Sequence, residues 1–183
     1  MRTVTYGGAC SLDGFITGPE AAMDWLRMSS DVGEIIAESW KLTDTVLMGR
    51  KTWEVAQKAG GGGERPGVNT YVFSRTLRPS DVPGATLVSD NAGEFVRDLK
   101  RQKDRGIMVM GGGELARSLL EADVIDEIGF KVHPVLLGSG VPALLDAKRR
   151  VDLRLIECRQ LERDCVLMRF SVKHRGRAAV QLS

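Results

Sequence analysis

Three short stretches of this chain carry residue types suited to holding phosphate. "MGRKTWE" sets Arg50, Lys51 and Thr52 directly behind Gly49, and "FSRTL" pairs Ser74 with Arg75. "GIMVMGGGELARSLLEAD" runs Gly111, Gly112 and Gly113 into Glu114 and Leu115. Cations and hydroxyls grip phosphate oxygens through charge-assisted hydrogen bonds. Glycines contribute differently: each costs roughly 0.5–1 kcal/mol inside a regular element, so a run of them between strand and helix indicates a close approach to the backbone. Free N–H groups at the start of the following helix would bind an anion.

Two familiar phosphate motifs are excluded. Gly111, Gly113 and Ala116 fit G-x-G-x-x-G/A, but a dinucleotide fingerprint opens the first strand-helix-strand unit of its domain and is followed by an acid about 20 residues later. Here the glycines come late, and the following strand reaches Lys131 and His133 instead. A P-loop sets its lysine directly after its second glycine. Arg50 intervenes in this chain, and Thr45 stands at the earlier glycine position.

The elements that must position these residues follow from periodicity. Val32, Ile35, Ile36 and Trp40 recur at helical spacing behind "SSD", with Asp31 and Glu34 as an N-terminal capping pair, which predicts a helix over 31–42. "TVLMG" (45–49) reads as a buried strand, "RKTWEVAQKA" (50–59) as a short helix and "GGGGERPG" (60–67) as a loop. Strands at 68–74 and 85–90, a helix carrying Phe95, Val96 and Leu99, the strand "IMVMG" and a helix with Leu115 and Leu119 continue the alternation. Such alternation predicts an α/β fold of three layers: a mostly parallel sheet with helices on both faces. Beyond Asp126 come three long strand-like stretches, the last two joined by "ERD" as a hairpin, so the sheet should end in an antiparallel edge. In such a sheet ligands bind at the C-terminal ends of the parallel strands, where all three phosphate-binding stretches fall. Cations at two points and a backbone nest at a third suit a ligand with phosphates at more than one position, such as NADPH.

Composition narrows the class. The 183 residues are 27% charged and 43% hydrophobic, ordinary for a globular chain. A single domain is expected over 1–174, with a basic tail over 175–183 whose plain reading is a frayed terminus. With 26 Lys and Arg against 24 Asp and Glu, nothing in the global charge calls for nucleic acid. The N-terminus enters a strand-like pattern at once and no run approaches the length of a membrane span, so a cytoplasmic protein acting on a small molecule, without membrane, is the default. Cys10, Cys158 and Cys165 lack metal or disulfide spacing and read as core residues. His133 and His174, without ligand-spaced partners, read as one strand and one exposed histidine, with no metal.

"SLDGFI", "LMGRKTWE", "VFSRTL", "GGGELARSLLEADVIDEI" and "HPVLLGSGVPALL" occur in the order in which they appear in the dihydrofolate reductase-like superfamily. The chain most resembles the C-terminal reductase domain of the bifunctional riboflavin biosynthesis protein, over residues 3–172. The resemblance implies an NADPH-dependent reductase of a pterin-like or aminopyrimidine substrate, with dihydrofolate reductase or a non-catalytic NADPH-binding module as alternatives. It implies that Gly49, Arg50, Lys51 and Thr52 hold the adenosine side of the cofactor, Ser74 and Arg75 its 2′-phosphate, and Gly111 and Gly112, a pair commonly joined by a cis peptide, its pyrophosphate. Ala9 and Ile16 would flank the nicotinamide. "SLDGFITGPEAAMDWL" would be a mobile cover, with Asp13 and Trp25 facing cofactor and substrate; Trp25 also reads as an ordinary core anchor. A homodimer through the edge strands is implied as well, and "HPVLLGSGVPALL" could serve it.

The catalytic acid stays open between two residues. Dihydrofolate reductases carry one buried carboxylate on the first helix; alignment through Trp25 selects Asp31, whereas counting back from Gly49 lands beside Glu34. Both lie with Glu38 on a stripe opposite Val32, Ile36 and Trp40, which also reads as a solvated acidic face. Hydride transfer needs no side-chain nucleophile, so the ambiguity bears on naming folate and leaves the reductase reading intact.

Overall fold

The computed structural model describes residues 1–58, 60, 65–144 and 149–174. Part of the glycine loop and the whole basic tail, residues 175–183, lie outside the described residues. An eight-stranded sheet forms the middle layer, built from β1 (Val4–Ser11), β3 (Thr43–Gly49), β4 (Asn69–Phe73), β5 (Thr86–Val88), β6 (Gly106–Met110), β7 (Glu127–His133), β9 (Leu153–Gln160) and β10 (Val166–Val172). Its order is β5-β4-β3-β6-β1-β7-β10-β9. The pairings from β5 through β7 are all parallel, and β10 runs antiparallel to both β7 and β9. The three-layer fold with an antiparallel C-terminal edge is therefore the one its periodicity predicts. A second, small sheet joins β2 (Phe15–Thr17) to β8 (Val141–Pro142), so the loop after Ser11 is fastened to the "HPVLLGSGVPALL" stretch.

Alternation along the strands divides the core. Leu47, Ile107, Val109, Val4 and Tyr6 point toward α3 (Ala92–Arg101) and α4 (Gly113–Glu121), meeting Val96, Leu99, Leu115, Ala116 and Leu119. Val46, Met48 and Val72 point the other way, toward Trp53 of α2 (Arg50–Lys58) and Trp40 of α1 (Ser30–Lys41). The N-terminal half of α1 covers the far end of the same face, where Val32 packs on Leu161, Cys165 and Leu167. Each such aliphatic side chain contributes about 1.5–3 kcal/mol when taken fully out of water.

Four sequence expectations change. Helix α1 begins at Ser30, one residue early, because Ser29 stands at the cap and Asp31 folds back onto the Val32 N–H at 2.7 Å; Glu34 is exposed and caps nothing. Cys158 is exposed on the edge strand, although Cys10 and Cys165 are buried. His174 is half-buried, with Nε2 3.0 Å from Asp126 Oδ1 and Nδ1 3.4 Å from Asp123 Oδ2. The Gly111–Gly112 bond is trans, as are all peptide bonds among the described residues.

The sheet is locked at the end opposite the ligand edge by a buried ion pair. Arg2 and Asp44, 5% and 4% exposed, are in direct contact. Arg2 also donates to Thr45 Oγ1 at 2.6 Å and, through Nε, to the Arg105 carbonyl at 2.7 Å, while the Arg105 N–H donates to Asp44 Oδ2 at 2.6 Å. Burial pushes the Asp44 carboxyl up, but hydrogen bonding with Asp104, Thr45 and the Arg105 N–H and the Arg2 charge outweigh it and hold it below the ordinary range. A lowered folded pKa adds stability above the unfolded value, and that stability is lost as pH falls through the folded value. Arg2→Met, which strands the buried carboxylate, should cost about 3–5 kcal/mol in urea unfolding at pH 7. Arg2→Met with Asp44→Leu should cost less than Arg2→Met alone; an equal or larger loss would show that the charge itself is not what matters.

Candidate active site

Register brings the three stretches expected to hold phosphate into one row. Gly49 pairs with Phe73 across β3 and β4, and Met48 pairs with Met110 across β3 and β6. Arg50, Ser74 and Gly111 therefore follow the ends of three adjacent strands. With neighbouring strands about 4.8 Å apart, the row is about 10 Å wide.

The middle and the glycine end of the row are fitted to each other. Gly111 has φ +82°, and a Cβ there would meet Thr52 Oγ1 at 2.0 Å. The Gly112 N–H donates to the same Thr52 hydroxyl at 3.3 Å. Positive φ and lack of space both require glycine at 111. Gly112 is different: nothing lies within 4 Å of a Cβ built on it, so its surface faces open space. Gly113 and Leu115 are buried in the first turn of α4, while Glu114 is exposed and lies 4.0 Å from Lys51 Nζ. Arg50 is exposed beside Glu54 at 3.4 Å. Ser74 Oγ accepts the N–H groups of Thr76 and Leu77 at 3.2 and 3.1 Å, shaping the turn that exposes Arg75.

A second group of candidate residues lies around the ends of β1 and β7. Ala9 and Ile16 are half-buried there. Asp13 is exposed and accepts hydrogen bonds from Ser11 Oγ at 2.6 Å, from the Leu137 N–H at 3.1 Å and from the Gly138 N–H at 2.8 Å. Those bonds, the Ser11 hydroxyl first, hold its carboxyl below the usual range. Trp25 packs edge-on against His133, with ring centroids 5.3 Å apart, and donates Nε1–H to the Ala22 carbonyl at 3.1 Å. Asp31 accepts from Ser29 Oγ at 2.6 Å, and its other oxygen accepts the Glu162 N–H at 2.8 Å. The Ser29 bond and then the Glu162 N–H lower its pKa. Asp31 is thus half-buried and held by both oxygens, whereas Glu34 is exposed.

Three participants escape a reading by motif. Tyr6, fully buried, donates its hydroxyl to the Ala143 carbonyl and lies 3.2 Å from that of Gly111, tying β1 to the glycine turn. Lys131 and His133 stand in register with Ala9 and Ser11, on the face of β7 turned toward α1. A lysine two positions before a histidine, on the same face of the strand EIGFKVH, was the signal that could have marked them.

This arrangement has known relatives. Residues 2–167 match the RibD C-terminal domain family. The chain belongs to that family. It is 32% identical over 170 residues to YyaP of Bacillus subtilis, an uncharacterized protein, covering 87% of this chain and 89% of YyaP. Its fold is shared with a Shewanella sp. PV-4 protein named for riboflavin biosynthesis, at 22% identity and TM-score 0.81, covering 95% of this chain and all of that one. It is shared as well with dihydrofolate reductase of Enterococcus faecalis, solved with NADP(H), at 13% identity and TM-score 0.69, covering 93% and 96%.

The two neighbouring glycines give a sharp test of this family member's turn. Gly111→Ala should lower stability by about 1–3 kcal/mol from the positive φ alone, with the Thr52 overlap adding to it. Gly112→Ala, at φ −59° and with free space, should be neutral or stabilising by up to about 1 kcal/mol. Thermal melting of both variants checks the order; equal losses would contradict it.

Proposed function

We propose that the chain is an NADPH-dependent reductase of a pterin-like or aminopyrimidine substrate, similar to 5-amino-6-(5-phosphoribosylamino)uracil reductase, working as a single cytoplasmic domain. The observation that carries this reading is the row of strand ends that aligns Arg50–Thr52, Ser74–Arg75 and Gly111–Leu115. Membership of the RibD C-terminal domain family and the fold shared with an NADP(H)-bound reductase support it.

The residues present fit such a cofactor. Arg75 is an exposed cation that makes no side-chain hydrogen bond or ion pair among the described residues, and Arg50 stands one strand away, so the two suit a 2′-phosphate. The open surface of Gly112 and the N–H groups that begin α4 suit a pyrophosphate. Lys51 and Thr52 join the two sites, with Glu114 steadying Lys51 and Leu115 anchoring the helix beneath. Backbone groups of Ala9 and Ile16 would orient the nicotinamide, which supplies the hydride. Asp13 holds the covering loop against residues 137 and 138, and Trp25 closes the cleft against water. Asp31 is the better placed of the two acids, and its bonds to Ser29 and Glu162 assign it to positioning.

We also propose a homodimer through the edge strand. On β9, Leu155 and Ile156 are 56% and 46% exposed, side chains that a free edge seldom displays. Light scattering at micromolar concentration should give twice the monomer mass, and a monomer would contradict this.

NADPH oxidation followed by absorbance, with dihydrofolate and with the ribosylaminopyrimidine, tests the activity. Turnover of the aminopyrimidine is expected. Turnover of dihydrofolate alone would favour dihydrofolate reductase, and NADPH binding without oxidation across a broad panel would favour a binding module. Arg50→Ala and Arg75→Ala should each weaken NADPH binding by about ten-fold while changing NADH binding little, since each removes a charge-assisted contact to the 2′-phosphate.

A further inference from the structure

Beside the cofactor row, the cleft has a wall made of hydrogen-bond donors. His133 is 1% exposed. Its Nδ1 accepts the Arg27 backbone N–H at 3.1 Å, so the proton of the neutral ring sits on Nε2. That Nε2 is buried and has no hydrogen-bond partner among the described residues. A buried donor left without an acceptor loses its hydration with nothing in return, so its retention calls for an explanation.

Lys131 lies two residues earlier on the same face of β7, in register with Ala9. It is half-buried and makes no side-chain hydrogen bond or ion pair among the described residues. Burial lowers its pKa, and its electrostatic neighbour Cys10 offers no counter-charge at neutral pH, because burial pushes that thiol up to about 11. Burial, then the Lys131 and Arg27 charges, lower the His133 pKa and keep the ring neutral. The two acids of this region are already engaged: Asp31 accepts the Ser29 hydroxyl and the N–H groups of Val32 and Glu162, and Asp13 accepts the Ser11 hydroxyl and the N–H groups of Leu137 and Gly138. Lys131 and His133 thus present donors for which the described residues supply no acceptor. Trp25 packs edge-on against His133 and follows a stretch whose residues Pro19–Asp24 are all exposed, and it must move aside for a ligand to reach Nε2.

We propose that Lys131 and His133 form a donor pair that receives an acceptor oxygen of the substrate, carbonyl or anionic, and so selects oxo-substituted heterocycles over cationic amino-substituted ones. The assignment rests on the reductase reading, whose substrate would lie between Ala9, Trp25 and Asp31. A site built to hydrogen-bond a group rejects analogues lacking it, because its own buried polar atoms are left unpaired.

Calorimetric titration of the full chain with orotate and with 2,4-diaminopyrimidine tests the pair. Orotate should bind at least about ten-fold more tightly than 2,4-diaminopyrimidine, the discrimination expected of a charge-assisted hydrogen bond. Lys131→Met should remove most of that preference, weakening orotate and sparing 2,4-diaminopyrimidine. His133→Asn keeps an acceptor for the Arg27 N–H and drops the Nε2 donor, so it should weaken orotate as well. In the wild-type chain, orotate should also move the His133 Nε2 resonance in 15N NMR, which a purely structural histidine would not do. Equal or tighter binding of 2,4-diaminopyrimidine, or orotate affinity within about two-fold of wild type in Lys131→Met, would overturn the proposal. NADPH titrated into the same samples keeps the two readings separate: NADPH binding with indifference to orotate overturns the donor pair alone, whereas no NADPH binding overturns the reductase reading.

Discussion

The fit of Thr52 against Gly111 is the constraint on which the ligand edge depends. One hydroxyl receives the Gly112 N–H while its own side chain fills the space that a Cβ at 111 would need. The contact joins the first turn of α2 to the turn between β6 and α4, two segments about 60 residues apart in the chain. Each segment by itself is a helix start with unsatisfied N–H groups. Held together, they become two sides of the proposed anion-binding surface. Tyr6 extends the fit to the neighbouring strand by reaching the carbonyls of Gly111 and Ala143.

The buried ion-pair network and the proposed ligand site sit at opposite ends of the sheet. Arg2, Asp44, Thr45 and Arg105 form a buried, mutually satisfied network at the end away from the strand C-termini. At the end proposed to bind the ligand the polar groups are left open: an exposed Arg75, bare glycine backbone, a half-buried Lys131 and a His133 Nε2 with no partner among the described residues. Groups left unsatisfied in this way cost free energy that the locked end and the three apolar clusters must offset. Such a division is expected where preorganised donors await a ligand.

Much of this was legible in the sequence, for a definite reason. The alternation of buried runs such as "TVLMG" and "IMVMG" with helical patterns depends only on local periodicity, and it led to the sheet and to the edge where ligands bind. Glycine at 111 was legible because its cause, a close approach to the backbone, is written in the residue type itself. Which acid does what was not legible, because it depends on partners distant in sequence. Asp31 is engaged by Glu162 N–H and Asp13 by Gly138 N–H, bonds that span more than a hundred residues. The exposure of Cys158 and the pairing of His174 with Asp126 likewise follow from which strand forms the edge and how the chain returns after β10.

The central claim is that three strand ends form one dinucleotide cradle, and a crystal structure of the protein soaked with NADPH tests it most directly. The account predicts the 2′-phosphate between Arg50 and Arg75, the pyrophosphate over Gly111–Gly113 and the nicotinamide beside Ala9. A 2′-phosphate lying far from both arginines, or a cofactor that leaves the glycine turn untouched, would contradict it.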